Sequence, residues 1–246
     1  MSAEPGDTTA VFSKMEFAVQ MTCEACAQLV YSKLNPVAGV RSVYVDVSNE
    51  LVLVESCLLS CRVQALLEET GRLVVFRGFG GTGTGQNSSP PSHHGAAVVA
   101  LRGVCESVGL VRMVQVTKET CLIEATIDGL VTMPHQISVH QYGDMSEGGH
   151  SCGEVVPGGE LGSVTPDDTG RATLHTTSAT LKVWDLIGRS VVVYCVQEDG
   201  SFEWVLSGVV ARSAGLFQNT KTLCTCEGVT IWDEARKAKQ STNNHV

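Results

Sequence analysis

The chain has 246 residues, 43% of them hydrophobic and 17% charged, with a formal net charge of -9. That length and balance fit a folded protein of two domains, and the excess of acid gives no electrostatic support for gripping a phosphate backbone, so nucleic acid is not an expected partner. No stretch approaches the roughly 20 apolar residues of a membrane span, so no stable membrane insertion is expected. Residues 1–10 carry acids and lack a basic start followed by an apolar run, so they do not read as a secretory signal. Ten cysteines without an export signal read as reduced thiols of a cytoplasmic protein.

Met15, Phe17, Val19 and Met21 alternate like one face of a half-buried strand, and Ala27, Val30, Tyr31 and Leu34 follow at helical spacing before Pro36 and Gly39. Val43, Val45 and Val47 alternate again, Ser48-Asn49-Glu50 supplies a turn, and residues 51–54 read as a buried strand. Ser60 is placed to cap a second helix with Val63, Leu66 and Leu67 on its inner face and Gly71 at its end. Residues 73–76 close the set. Strand, helix, strand, strand, helix, strand is the order of a ferredoxin-like βαββαβ sandwich, assigned to residues 12–79.

Residues 80–95, with Gly80-Gly81-Thr82-Gly83-Thr84-Gly85 and then Asn87-Ser88-Ser89-Pro90-Pro91, read as a linker. The glycines form no phosphate loop, since no Lys-Ser/Thr follows and the prolines forbid the helix such a loop opens. His93 and His94 read as part of that solvated linker. Over residues 96–215 short β-type runs (96–101, 110–117, 121–127, 137–141, 171–175, 191–196, 209–211) alternate with turn signals such as Asp128-Gly129, Pro157-Gly158-Gly159 and Asp168-Thr169-Gly170. That is the pattern of a Greek-key sandwich or barrel. Residues 216–246 are polar, too short for a core of their own, and expected to be mostly irregular.

Two dithiols carry the chemistry. In Met21-Thr22-Cys23-Glu24-Ala25-Cys26 the first cysteine falls in a strand-to-helix loop and the second in the first helical turn, where the helix N-terminus favours thiolates. Two such sulfurs suit Cu(I), a soft ion of low coordination number. Redox pairs and half zinc sites share the spacing, but no second C-x-x-C completes a zinc tetrahedron and the element order is not that of a thioredoxin. Met21 is expected to point into the core beside the site. Cys224-Thr225-Cys226 can close a strained, labile disulfide or share a soft metal with another dithiol, or be two tail cysteines without a role. Cys57 and Cys61 are expected to be buried.

Within this fold, Met21 to Cys26 resembles the M-x-C-x-x-C signature of heavy-metal-associated domains, which implies Cu(I) held by Cys23 and Cys26 and passed on by stepwise thiolate exchange. Asp128-Gly129-Leu130, residues 135–144 (HQISVHQYGD), Glu160-Leu161-Gly162-Ser163-Val164 and Ile187-Gly188-Arg189-Ser190 resemble Cu,Zn superoxide dismutase. With Ala211-Arg212-Ser213-Ala214-Gly215-Leu216-Phe217 leading to Cys224-Thr225-Cys226, nearly the whole chain resembles the copper chaperones for superoxide dismutase.

The resemblance implies that the barrel is catalytically dead. Of a histidine pair only His140 remains, with Ser138 in place of its partner; Tyr194 replaces another copper histidine and Trp204 the arginine that guides superoxide. Between Cys152 and Leu161 the chain has no histidines, Glu198-Asp199-Gly200 replaces a long electrostatic loop, and Ser207 leaves Cys152 without its expected disulfide partner. Zinc is therefore not expected, and His135, His140 and His175 read as packed or surface histidines. What the resemblance preserves is the dimerisation surface, at Gly143, Ile187, Gly188 and Arg189, which implies docking of a superoxide dismutase subunit as a heterodimer, with a homodimer as the counterpart in the free protein. It further implies an upstream copper donor, and a role for Cys224 and Cys226 in delivering copper and exchanging thiols with the client. The rivals are a general Cu(I) carrier with an inert barrel and a dismutase with an added metal domain.

Overall fold

The computed structural model describes residues 10–81, 94–103, 106–197, 199, 201–219 and 229–243. Most of the predicted linker, Cys105 and both tail cysteines, Cys224 and Cys226, lie outside the described residues. No helix is long and apolar enough to cross a membrane, among the described residues.

The N-terminal domain runs β1 (Ser13–Val19), α1 (Glu24–Leu34), β2 (Val40–Asp46), β3 (Leu51–Ser56), α2 (Ser60–Glu68) and β4 (Val74–Gly81). Its four-stranded antiparallel sheet has the order β2-β3-β1-β4, the split βαβ arrangement read from the sequence. Met15, Phe17 and Val19 of β1 meet Val30 and Leu34 of α1 and Val63 and Leu67 of α2 in one apolar core. The alternation in β1 predicts one wet face, but all of Ser13–Val19 except Lys14 is buried. Its second face is covered by the C-terminal segment: Glu16 is buried and accepts a hydrogen bond from the Phe217 amide, and the Gly78 Cα lies so close to the Gly215 carbonyl that a Cβ would sit 2.5 Å from that oxygen. β4 needs its glycines for that approach.

Ser60 does not cap α2 as its sequence position predicts. Leu59 holds the cap position without a side-chain bond, and Ser60 is the first helical residue. The cap comes from the barrel: the Glu124 carboxylate accepts from the Ser60 amide at 3.1 Å and from Ser60 Oγ at 2.6 Å.

The barrel consists of β5 (Ala96–Gly103), β6 (Val108–Gln115), β7 (Cys121–Asp128), β8 (His135–His140), β9 (Val155–Val164), β10 (Ala172–Ser178), β11 (Ser190–Val196), β12 (Phe202–Val209) and β13 (Ala211–Arg212), with the one-turn helix α3 (Val183–Leu186) before β11. Strand order is β10-β7-β6-β5-β12-β11-β8-β9, with β13 on β5, and the end strands β9 and β10 come together to leave the antiparallel barrel nearly closed. The step from β7 to β8 crosses the barrel, as a Greek key requires. Pro157-Gly158-Gly159 reads as a turn in the sequence but lies inside β9, where an end position in the hydrogen-bonded order tolerates a residue without an N–H.

Val114, Val116 and Leu122 of the barrel belong to the core of the N-terminal domain, packed with Phe17, Leu67 and Phe79. Arg112 reinforces the seam: its guanidinium lies 4.5 Å from the Phe76 ring centroid and donates to Ser60 Oγ at 3.3 Å. Among the described residues of the tail, Ile231–Asn243 form helix α4, an element that the polarity of the segment did not announce. Thr230-Ile231-Trp232-Asp233 is a capping box, in which the Asp233 amide donates to Thr230 Oγ1 and the Thr230 amide and hydroxyl donate to Asp233 Oδ2.

Candidate metal site and docking surface

The chain leaves β1 at Val19 and turns over Met21, whose side chain is buried in the core as its strand alternation predicts. Cys23 stands at the N-cap of α1 in extended conformation, φ -160 and ψ 165, and its carbonyl accepts from the Cys26 amide at 3.0 Å. This turn sets the two sulfurs 3.0 Å apart, Cys23 exposed and Cys26 packed beneath it. The Cys26 thiol is pulled down to about 7, first by the Cys23 sulfur and then by the Thr22 backbone amide, against the opposing effect of burial. No cluster of three or more His, Cys, Asp or Glu that could hold a metal ion occurs among the described residues. Two soft donors, one of them with a lowered thiol pKa, with an exposed side, can take up a thiophilic ion and leave room for an incoming thiolate.

The other described cysteines are different. Burial pushes the Cys121 thiol up to about 12 and raises Cys152 and Cys195 as well. Such thiols are inert toward metals and electrophiles. Cys57 and Cys61 are partly exposed rather than buried, because Ser60, Val63, Leu66 and Leu67 fill the inner face of α2.

In the barrel, Ser138, His140, Glu160, Tyr194 and Phe202 line a cavity of about 320 Å³. His140 Nδ1 lies 2.7 Å from the Gly153 carbonyl and Nε2 lies 3.0 Å from Ser138 Oγ. A carbonyl only accepts, so Nδ1 carries the proton and Nε2 accepts from the serine, which leaves neither nitrogen open for a metal. Trp204 packs flat on the 3-10 turn Gly148–Cys152, where a Cβ on Gly149 would come within 2.1 Å of its ring. Cys152 Sγ donates toward the Asp144 and Gly148 carbonyls at 3.5 Å and forms no disulfide. His135 is fully buried, and that burial lowers its pKa, while His175 is exposed on β10.

Gly143, Ile187, Gly188 and Arg189 come together on one face. A Cβ on Gly143 would meet the Gly188 carbonyl at 2.3 Å, so the two loops touch backbone to backbone. Gly188 has φ +85 with open space above it, and its amide donates to the Val210 carbonyl. Arg189 ties the loops from behind, donating from Nε to Asp185 O at 2.7 Å and from Nη1 to Gln141 O at 3.2 Å. Ile187 is 38% exposed, and Tyr142, Trp184 and Val209 are exposed as well.

Residues 16–72 match the model of the heavy-metal-associated domain. Over 95% of its length the chain is 41% identical to the mouse (Mus musculus) copper chaperone for superoxide dismutase, of which it covers 93%. Against the human (Homo sapiens) copper chaperone for superoxide dismutase it is 43% identical, covering 89% of this chain and 88% of that one. The chain belongs to the family of copper chaperones for superoxide dismutase. The family extends to plants: the Arabidopsis thaliana copper chaperone for superoxide dismutase, chloroplastic/cytosolic, is 37% identical over 89% of this chain and 69% of its own.

For a member of this family, the Cys23–Cys26 pair and the Gly143/Ile187/Gly188/Arg189 face are both built from residues singled out in the sequence, whereas Cys224 and Cys226 fall outside the described residues. Sequence reasoning overlooked Tyr142, Trp184 and Val209. The available signal was a large apolar residue in or beside a turn next to Gly143 and Ile187, where a solvated loop would carry polar groups. It also overlooked Glu50, whose carboxylate accepts from the Met21 amide at 3.3 Å.

Proposed function

We propose that this protein is a metallochaperone that carries Cu(I) on Cys23 and Cys26 and delivers it to Cu,Zn superoxide dismutase. What supports this reading is an open dithiol with a lowered thiol pKa, packed through one core onto a β-barrel whose Gly143–Gly188 face is small and apolar and whose His140 has both ring nitrogens in hydrogen bonds. Residues 12–79, with β4 running two residues further to Gly81, form the copper-carrying domain, the remaining residues up to 95 the linker, 96–215 the client-recognition domain and 216–246 the delivery tail. A cytosolic copper donor loads the first dithiol by thiolate exchange.

The client docks through Gly143, Ile187, Gly188 and Arg189 as a heterodimer, and a homodimer through the same face is the free form. Cys224 and Cys226 then accept the ion and pass it to the client. Once the ion has left, dioxygen, itself reduced to peroxide, closes Cys224 and Cys226 into a disulfide; one client thiolate attacks it and a second resolves the mixed disulfide, which leaves the client disulfide-bonded and the tail pair reduced, so the client's two electrons end on the tail. Zinc has no part in this reading, since both ring nitrogens of His140 are hydrogen-bonded and no group of three His, Cys, Asp or Glu able to hold a metal ion occurs among the described residues. Nor does the barrel itself dismutate superoxide.

Native mass spectrometry of the Cu(I)-loaded chain mixed with metal-free, reduced superoxide dismutase tests the reading. A one-to-one complex followed by copper on the dismutase is expected. Transfer at equal rate to an unrelated thiol acceptor, with no complex, refutes it.

A further inference from the structure

The cavity beside His140 has no part in copper delivery, and its lining is assembled from four adjacent strands. Ile137 and Val139 of β8 lie in the barrel core, so Gln136, Ser138 and His140 share the opposite face of that strand. The hydrogen-bonded order β12-β11-β8-β9 brings three side chains to this row: Phe202 from β12, Tyr194 from β11 opposite Gln136, and Glu160 from β9 opposite Ser138. The Tyr194 and Phe202 rings meet edge to face, with centroids 6.3 Å apart, and Phe202 stands 60% exposed at the rim.

The polar groups of this cavity are only partly used. Ser138 and His140 bond each other, and the second nitrogen of His140 is taken by the Gly153 carbonyl. The Gln136 amide, the Tyr194 hydroxyl and the Glu160 carboxylate make no side-chain hydrogen bond among the described residues, and Glu160 has no ion-pair partner there. Glu160 is also the one residue of the lining that carries a full charge, with no lysine or arginine to oppose it. Ser138 has given its proton to His140, so it offers the cavity lone pairs only. A carboxylate and hydroxyl oxygens at the floor suit a head group made entirely of donors, and two aromatic rings at the rim suit an apolar body attached to it. At about 320 Å³ the space is of the size that encloses a small organic molecule. An anion would meet an unopposed carboxylate.

We propose that this cavity is a binding site for small primary ammonium ions with an aromatic or apolar body. Glu160 pairs with the ammonium group, Ser138 Oγ and the Tyr194 oxygen accept its remaining protons, and Phe202 and Tyr194 pack on the body. The site is independent of the Cys23–Cys26 pair, so it stands or falls apart from the copper reading.

Calorimetric titration of the copper-free full chain with three probes that share one ring tests it: 2-phenylethylammonium, the neutral 2-phenylethanol and the anionic phenylacetate. NMR of the chain with labelled tyrosine and phenylalanine rings locates the site. The ammonium is expected to saturate with a Kd of about 1 mM or tighter. The alcohol should bind about tenfold more weakly, the loss of one hydrogen bond to a charged group, and phenylacetate not at all. Glu160→Gln should bring the ammonium level with the alcohol, whereas Phe202→Ala should weaken both alike, because it removes packing and not charge. Both side chains are exposed, so both variants should keep the wild-type melting temperature. Absence of saturable ammonium binding, equal affinity for the three probes, unchanged affinity in Glu160→Gln, or shifts that spare the Tyr194 and Phe202 rings would overturn the inference. The three probes on the wild-type chain decide the matter even where a variant fails to fold.

Discussion

The seam between the domains depends on Glu124, and its replacement by alanine gives a measurable consequence. The residue is 3% exposed on β7 and caps α2 by accepting from the amide and hydroxyl of Ser60. Losing a helix cap costs about 1 kcal/mol, and each hydrogen bond to a charged group is worth about 1.5–3 kcal/mol. Burial pushes the Glu124 carboxyl above its ordinary value, so the desolvation relieved by its removal offsets part of this. Arg112 opposes that relief, because its half-buried guanidinium is left without its facing carboxylate. The net expectation is about 2–4 kcal/mol lost from the closed seam. Hydrogen exchange reads it directly: protection at the Ser60 amide and the first turn of α2 should fall about 30-fold or more, while α1 keeps its wild-type exchange. Glu124→Gln, which keeps an acceptor, should lose less. Unchanged α2 protection in Glu124→Ala would refute the claim that the barrel caps the copper-carrying domain.

Three further outcomes are expected. Alkylation of Cys26 should follow a pH profile with its midpoint at about 7, and Cys23→Ser should move it back toward the ordinary thiol value of about 8.5, since the Cys23 sulfur is the main cause of the shift. Because the folded value is the lower one, the thiolate favours the fold above the ordinary thiol pKa, and this contribution is lost as pH falls through about 7. Gly143→Val should abolish the complex with superoxide dismutase on gel filtration while leaving Cu(I) binding intact, because any Cβ there would lie 2.3 Å from the Gly188 carbonyl and drive the two loops apart. Thr230→Ala removes the capping hydroxyl of α4 and should cost that helix about 1 kcal/mol, seen as faster amide exchange over its first turn.

The elements most legible in the sequence are those whose residues face a core within their own domain. Met15, Phe17 and Val19 announce β1, and Val30 and Leu34 announce α1, because one apolar face meets another close in sequence. The metal loop was legible for the same reason: C-x-x-C after a strand fixes which cysteine ends the loop and which enters the helix. What the sequence hid are contacts between distant segments. Glu16 looks like a wet-face residue until the Phe217 amide, 201 residues away, is placed on it, and Ser60 looks like a cap until Glu124 supplies one from the barrel. The helix α4 was legible but missed: Thr-x-x-Asp is a start signal, and only the polarity of the segment argued against it. Pro157 misled because a proline marks a turn or an end strand equally well.

The central claim is that copper enters at Cys23 and Cys26 and reaches a client held on the Gly143/Ile187/Gly188/Arg189 face. Its most direct test is activation of metal-free superoxide dismutase at limiting copper by the intact chain, the Cys23→Ser, Cys26→Ser chain and the Gly143→Val chain. The account predicts full activation by the first and, at the same limiting copper, almost none by the other two. Activation by either variant at the rate of the intact chain would contradict it.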